Sequence, residues 1–257
     1  MSLIHHQIHS NNPDKPWILM IHGLFGSLDN LSALRRELSD SFQILSVDLP
    51  DHGKSTFTQG FDFTLYAKQL WALTQQLSIP RLSLLGHSLG GKVAMQIALT
   101  QQQYIEHLVV LDIAPVEYEP RHSNVFNGLG NVDLSTLTSR KQADENLMEY
   151  IDENTTRQFL LKSLYQQDDK WAWRFNLRIL ERDYSRLSSA ITSSNPFTGK
   201  VLLLKGELSD YLLPEHREAI LQLFPNAKSK MVSATGHWLH AEKPQLCGKI
   251  IRNFFTN

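Results

Sequence analysis

The stretch that decides the fold is LSLLGHSLGGKVAM, residues Leu82 to Met95. Leu82 to Leu85 predict a buried strand, and a helical pattern begins near Lys92. Between them Gly86 to Gly90 match G-x-S-x-G, in which small residues let strand and helix approach closely around a strained serine. The same pattern also occurs by chance in many chains, as a glycine-rich turn with an exposed serine. Here the predicted strand before it and the predicted helix after it favour the catalytic interpretation. We therefore expect Ser88 to be a nucleophile at the edge of a sheet.

Similar apolar runs, four or five residues long, recur along the chain. Continuous rather than alternating hydrophobicity is typical of parallel strands that are covered on both faces. Stretches with helical spacing separate the runs, and this alternation predicts an α/β fold with a mostly parallel, doubly wound sheet. Reactive groups in such sheets gather at the carboxyl ends of the strands. The further predicted strands are Trp17 to Ile21, Ile44 to Val47, Leu108 to Leu111, Val201 to Leu204 and the weaker Lys228 to Val232.

One interval breaks this alternation. From Val116 to about Pro196 no convincing strand pattern is present, and the segment is polar and helical with several aromatic residues. The chain then returns to a core strand at Val201, so a helical cap over the carboxyl edge is expected rather than a separate domain. We therefore divide the chain into a core of residues 1–115 and 197–257 and a helical cap of residues 116–196, inserted after the sixth strand.

Acyl transfer to a serine needs two preorganised N–H donors, which form an oxyanion hole for the developing negative charge. The residue after the nucleophile supplies one donor, the N–H of Leu89. The loop after the first predicted strand is expected to supply the other from Leu24, with Phe25 as the fallback. Phe25 is also a candidate substrate contact. We interpret His22, in the same loop, as a structural hydrogen-bonding residue.

The candidate general base is His237, which follows a glycine in a loop beyond the last predicted strand. A general base must be neutral near pH 7 and must pass a proton between the serine and the leaving group. His240 competes three residues further on, but we expect it to be a core or capping residue of the final helix. Trp238 is a candidate substrate contact. The other histidines show no metal-ligand grouping, so no metal site is predicted.

Three blocks carry a more specific resemblance: HGLFGSLDNL (His22 to Leu31), LDIAPVEY (Leu111 to Tyr118) and GHWLHAEKP (Gly236 to Pro244). The chain resembles α/β hydrolases throughout, and these blocks resemble small bacterial esterases of the YbfF type. The resemblance implies a serine hydrolase that cleaves carboxylic esters or acyl-CoA thioesters through an acyl-enzyme, without a cofactor. A carbon–carbon hydrolase or lyase, such as a menaquinone-pathway synthase, could use the same residues. A non-catalytic binding protein would be expected to have lost Ser88 or His237.

The acid of the triad is less obvious. In most of the superfamily it lies three residues after the glycine that ends the strand following the cap. That glycine is Gly206 here, so the third position holds Ser209, and Asp210 comes one residue late. The resemblance to esterases with the DIAPV block points instead to Asp112, at the end of the preceding core strand. We therefore predict Asp112 as the acid, with Asp210 as the alternative and Ser209 as a possible hydrogen-bonding partner of the acid or the histidine.

Composition sets broader limits. The 257 residues suit one α/β domain with a core, and the net charge of −1 indicates no nucleic-acid or anionic membrane partner. Cys247 is the one cysteine, which excludes an intrachain disulfide. The amino terminus lacks a secretory signal, and no apolar run approaches the roughly 20 residues that span a bilayer. We expect a cytoplasmic protein with a small-molecule substrate, and its oligomeric state stays open.

Overall fold

In the computed structural model, which describes residues 3–10 and 12–256, seven strands form one sheet. Its spatial order is β1-β3-β2-β4-β5-β8-β9. The first strand pairs antiparallel with β3, and all other neighbours in the sheet are parallel. The strands are β1 (His6–His9), β2 (Trp17–Ile21), β3 (Gln43–Val47), β4 (Leu82–His87), β5 (Ile105–Leu111), β8 (Lys200–Gly206) and β9 (Ala227–Val232). The predicted α/β fold with a mostly parallel sheet is therefore confirmed.

The central strands are apolar throughout because both faces of the sheet are covered. In β2, Ile18 and Met20 belong to the core on one face, whereas Leu19 and Ile21 belong to the core on the other. Successive side chains of a strand point to opposite faces, so a strand between two helical layers needs apolar residues at every position.

Helices form these two layers. On one face lie α1 (Ser32–Leu38) and α11 (Pro244–Thr256), and on the other lie α2 (Phe63–Gln76) and α3 (Leu89–Thr100). The buried Cys247 of α11 belongs to the first of these cores, and burial raises the pKa of its thiol to about 11. None of the helices in the described ranges is both long and apolar enough to cross a membrane. The remaining helices of the carboxyl-terminal part are α9 (Arg217–Leu223) and the short α10 (Leu239–Glu242).

The interval between β5 and β8 contains five helices and a small hairpin in the described chain. The hairpin, β6 (Leu164–Gln167) and β7 (Lys170–Trp173), corrects the expectation of a segment without strands. Asp168 and Asp169, which join its strands, have φ values of 49° and 58°. Two residues with positive φ are what a tight type I′ hairpin turn requires. The helices are α4 (Ser123–Asn131), α5 (Arg140–Met148), α6 (Asn154–Leu161), α7 (Leu177–Arg182) and α8 (Tyr184–Ser188).

The position of this insertion also needs a correction. It follows the fifth strand of the described chain, not the sixth, because β1 is the single strand before Trp17 among the residues described there.

A buried lysine connects the two ends of the insertion to the core. Lys92, in the first turns of α3, donates from Nζ to the carbonyl oxygens of Val116 at 2.8 Å, Ser188 at 3.1 Å and Ser189 at 2.7 Å. Burial lowers the pKa of Lys92 to about 7. Because its three acceptors lie at the start and end of the insertion, Lys92 holds both ends beside the helix that follows Ser88.

Candidate active site

Ser88 lies in a sharp turn between β4 and α3. Its φ of 52° and ψ of −121° fall in a region that L-residues rarely adopt. The surrounding hydrogen bonds hold this conformation: Ser88 N–H donates to Leu111 O at 3.0 Å, and Ser88 O accepts from Gly91 N–H at 2.8 Å. The strained backbone is therefore fixed from both sides, and the half-buried serine side chain is presented at the carboxyl edge of the sheet.

Two glycines of the motif permit this close approach. A Cβ on Gly86 would lie 2.2 Å from the carbonyl oxygen of Gly90, and one on Gly90 would lie 2.3 Å from the carbonyl oxygen of His22. Real Cβ contacts are never that short, so any side chain at either position would push the strand and helix apart. The sequence prediction that these positions need small residues has this physical basis.

The loop after β2 forms a tight turn beside the serine. Gly26 N–H donates to Gly23 O at 3.1 Å, and a Cβ on Gly23 would lie 3.2 Å from Ser88 Cβ. Among the described residues, the N–H groups of Leu24 and Leu89 donate to no protein acceptor. Leu89 is the first residue of α3, whose N–H groups have no partner within the helix. Both N–H donors predicted for an oxyanion hole thus have no competing protein acceptor in the described chain.

His22 is a structural residue in this loop. It is fully buried, its Nε2 accepts from Leu49 N–H at 3.0 Å, and its Nδ1 donates to Gly23 O at 2.8 Å. Burial lowers the pKa of its imidazole, which is therefore neutral. These bonds connect the loop after β2 to the end of β3, in agreement with the sequence interpretation.

His237 pairs with Asp112. The distance from His237 Nδ1 to Asp112 Oδ2 is 2.8 Å, and the side chains are 19% and 0% exposed. A carboxylate only accepts, so the bond places the histidine proton on Nδ1 and leaves Nε2 as an acceptor. This tautomer is the one a general base requires.

Strand register places Asp112 beside Ser88. His87 lies opposite Leu111, and Leu111 lies opposite Leu204 of β8. Ser88 and Asp112 each follow these paired positions by one residue, so both leave the sheet at the same level. Neighbouring strands are about 4.8 Å apart, and the register therefore brings both residues to one edge.

Both oxygens of the Asp112 carboxylate are hydrogen-bonded. Its Oδ1 accepts from Gly206 N–H at 3.0 Å, and its Oδ2 accepts from Ser209 Oγ as well as from His237. Asp112 itself has a φ of 52°, another backbone conformation that aims a side chain out of a strand end. Ser209 thus donates to the carboxylate, as the sequence analysis had suggested for one of its two possible roles.

Asp210 lies elsewhere. Its side chain is 71% exposed, and its Oδ1 is 2.8 Å from Arg121 Nη1. None of its hydrogen bonds or ion pairs within the described residues reaches His237. The geometry therefore favours Asp112 over Asp210 as the partner of the histidine.

Aromatic rings surround the imidazole of His237. Tyr211 stacks on it with centroids 4.0 Å apart, and His87 approaches to 4.7 Å. His87 Nε2 donates to the carbonyl oxygen of His237 at 2.9 Å. Burial lowers the pKa of His87 well below its ordinary value and that of His240 to about 3, so both stay neutral. The sequence analysis missed Tyr211 and His87, although His87 occupies the variable position before the motif serine.

A cavity of about 1230 Å³ opens at this edge of the sheet. Ser88 and His237 line it together with both predicted oxyanion residues. The two predicted substrate contacts also line it, but the Phe25 ring is largely buried, whereas Trp238 is half-buried. Across the described residues, no group of three or more His, Cys, Asp or Glu could hold a metal ion. Lining residues from the insertion include His122, Val125, Phe159, Leu160, Tyr184 and Leu187.

This sheet, the turn at Ser88 and the cavity define the class of protein. The chain belongs to the α/β hydrolase fold family, whose family profile matches residues 16–244. Among curated proteins it is similar to Esterase YbfF of Escherichia coli, at 33% identity over 250 residues that cover 97% of this chain and 95% of the relative. The resemblance seen in the sequence blocks is therefore confirmed.

Two further similarities extend this result. The chain is 34% identical over 238 residues to the sn-1-specific diacylglycerol lipase ABHD11 of Mus musculus, covering 90% of this chain and 78% of the relative. The solved structure of a marine microorganism esterase matches with a TM-score of 0.95 at 30% identity, and covers 99% of this chain and 100% of that chain.

Proposed function

We propose that this chain is a serine hydrolase of carboxylic esters, with Ser88 as nucleophile, His237 as general base and Asp112 as the acid that orients the histidine. The observation that carries the proposal is the 2.8 Å hydrogen bond from His237 to Asp112, at the strand end next to Ser88 and in the same cavity. The names of the similar proteins, an esterase and a lipase, support ester bonds as the target.

The first half of the reaction forms an acyl-enzyme. His237 Nε2 takes the proton of Ser88 as its oxygen attacks the ester carbonyl carbon, and the carbonyl oxygen becomes an oxyanion. The N–H groups of Leu24 and Leu89 stabilise that charge. Collapse breaks the bond to the alcohol, which leaves with the proton from His237.

The second half repeats these steps with water. His237 removes a proton from water, whose oxygen attacks the acyl carbon, and the proton then returns to Ser88 as the acid is released. Throughout, the Asp112 carboxylate keeps the proton on Nδ1 and stabilises the imidazolium. Acyl-CoA thioesters fit the same chemistry with a thiol as leaving group, and no step needs a cofactor.

We further propose that residues 116–196 act as a cap and contribute to the acyl site. The described insertion supplies apolar cavity residues such as Val125, Phe159 and Leu187, next to Trp238 of the core. Phe159 and Trp238 are in ring contact, with centroids 5.5 Å apart. Each buried methylene adds up to about 0.8 kcal/mol, so medium acyl chains should be preferred over acetate.

The experiment is hydrolysis of a panel of nitrophenyl esters and acyl-CoAs by wild-type protein and Ser88→Ala. We expect ester hydrolysis that rises from acetate to medium chains and is lost in Ser88→Ala. The matched control is Ser189→Ala, because within the described chain Ser189 Oγ donates only to the local carbonyl oxygen of Arg186, at 2.8 Å. Full esterase activity in Ser88→Ala would refute the proposal. Turnover restricted to substrates that are cleaved at a carbon–carbon bond would assign the triad to that reaction instead.

A further inference from the structure

Phe25 has a backbone conformation that its own side chain disfavours. Its φ is 60°, whereas Leu24 is not among the residues with positive φ. Together with the hydrogen bond from Gly26 N–H to Gly23 O, these angles define a type II turn with Phe25 at its third position. Glycine is the usual residue there, because a Cβ in the left-handed region costs roughly 1–3 kcal/mol.

Contacts from the insertion hold Phe25 in this conformation. Ser163, between α6 and β6, is buried, and its Oγ donates to the carbonyl oxygen of Phe25 at 2.8 Å. The ring of Phe25 packs against Phe126 at 5.3 Å and against Phe175 at 5.0 Å between centroids. All three partners belong to the segment between β5 and β8, 100 or more residues further along the chain.

The backbone of Ser163 is itself fixed. Its N–H donates to Leu160 O at 2.9 Å, and its carbonyl oxygen accepts from Arg174 N–H at 2.8 Å. The first bond connects it to the end of α6, and the second to the residue after β7. These two bonds fix the position from which the Ser163 hydroxyl reaches the turn.

We propose that Ser163 is a positioning residue through which the insertion holds the oxyanion turn in its type II form. Relaxation of Phe25 to negative φ converts a type II turn into type I by flipping the peptide between Leu24 and Phe25. The flip leaves the Leu24 N–H in place but reverses the carbonyl dipole of the same residue and the N–H of Phe25, the fallback donor, and both residues line the cavity. An oxyanion hole works because its dipoles are aligned before charge develops. Losing the Ser163 bond should therefore weaken stabilisation of the transition state more than binding of the substrate.

This inference rests on the proposed function, and its test separates the two. The measurements are kcat, KM and the inhibition constant of an alkyl boronic acid, which forms a tetrahedral anionic adduct with an active serine. Ser163→Ala should lower kcat roughly tenfold and weaken boronate inhibition by a similar factor, with KM changed less than twofold. Ser163→Thr, which keeps the hydroxyl, should restore most of both values.

Ser189→Ala is the matched control, since it removes a serine hydroxyl bond of the same 2.8 Å length within the insertion. Equal boronate affinities in Ser163→Ala and Ser189→Ala, with an active wild type, would overturn the inference and leave the proposed function intact. If Ser163→Ala does not fold by circular dichroism, Ser163→Cys takes its place, because it keeps the size of the side chain but replaces the hydroxyl with a weak S–H donor. That variant should show the same selective loss of boronate affinity, and an unchanged affinity would overturn the inference. A wild type without esterase activity would instead refute the proposed function.

Discussion

Two aspartate–histidine pairs lie at the carboxyl edge of the sheet or next to it, and they are nearly alike in local geometry. His237 and Asp112 are 2.8 Å apart, and His5 and Asp48 are 2.7 Å apart. Both carboxylates are buried, at 0% and 3% exposure, and both histidines are partly exposed, at 19% and 27%. Distance and burial alone therefore do not distinguish a catalytic pair from a structural one.

The surroundings of the two pairs differ. His237 lines the same cavity as Ser88, the proposed nucleophile. His5 lies just before β1, and Asp48 also accepts from Leu28 N–H at 2.8 Å and from Lys54 N–H at 2.9 Å. The Asp48 carboxylate thus connects two backbone segments and the His5 side chain, whereas under the proposed function Asp112 orients a general base. An Asp–His pair becomes a catalytic unit through the third group that it faces.

The largest expected effect is on Asp112. Asp112→Asn should lower kcat for a nitrophenyl ester at least a hundredfold, and by up to about 10⁴, because an amide stabilises the wrong histidine tautomer. The fold should persist, since the amide oxygen can still accept from Gly206 N–H. Steady-state kinetics and thermal denaturation measure the two properties separately. A loss below tenfold in the folded variant would place Asp112 with the structural aspartates.

The comparison extends to His240, which pairs with no carboxylate among the described residues. Its contribution to the free energy of unfolding should depend on pH. Burial lowers the pKa of His240 to about 3, against an ordinary value of 6.5, and its Nδ1 has no hydrogen-bond partner in the described part of the chain. Between pH 6.5 and 3 the unfolded chain therefore binds a proton that the folded chain does not, and the free energy of unfolding falls as pH falls. His240 alone should account for a few kcal/mol across this window. Chemical denaturation should show a shallower pH dependence in His240→Leu, and an unchanged slope would assign the acid sensitivity to other groups.

The reciprocal change tests the structural pair. Asp48→Asn replaces one carboxylate oxygen with an NH₂ group, which cannot accept the hydrogen bond that His5 or a backbone N–H now donates. The free energy of unfolding should therefore fall by about 1–3 kcal/mol. In the folded protein, kcat should stay within about threefold of wild type. Urea denaturation together with ester hydrolysis checks both values. Loss of turnover as large as in Asp112→Asn would remove the distinction between the pairs.

The smallest effects are expected on the loop after β8. Ser209→Ala removes one donor to Asp112 Oδ2 and should lower kcat about tenfold, which corresponds to one hydrogen bond to a charged group. Asp210→Asn breaks only the exposed ion pair with Arg121 and should change kcat less than twofold. Ester kinetics of the two neighbouring variants provide the comparison. A larger loss of kcat in Asp210→Asn than in Ser209→Ala would indicate Asp210 as the acid.

Much of this arrangement could be predicted from local pattern. The strand before Ser88 and the glycines around it follow from an apolar run and from steric needs that any side chain would violate. The hairpin in the insertion was missed, although Asp168-Asp169 between two short runs carries a turn signal. β1 was missed because HQIH has no apolar run, and this edge strand exists through pairing with β3.

Other features depend on contacts between distant residues. The choice between Asp112 and Asp210 depends on strand register and on a positive φ at Asp112, which no local pattern shows. Ser163 contributes one hydrogen bond to a turn 138 residues away, and nothing in its own sequence neighbourhood marks it. Residue patterns alone left both Asp112 and Asp210 as candidate acids. The prediction of Asp112 came from the sequence blocks that resemble a family.

The central claim is that Asp112 activates Ser88 through His237, and the rate of covalent labelling by a fluorophosphonate tests it without knowledge of the substrate. Labelling should be confined to Ser88, as shown by intact mass and peptide mapping. The second-order rate should fall at least a hundredfold in Asp112→Asn and stay within about threefold of wild type in Asp48→Asn. Equal rates in these two variants, or labelling that persists in Ser88→Ala, would contradict the account.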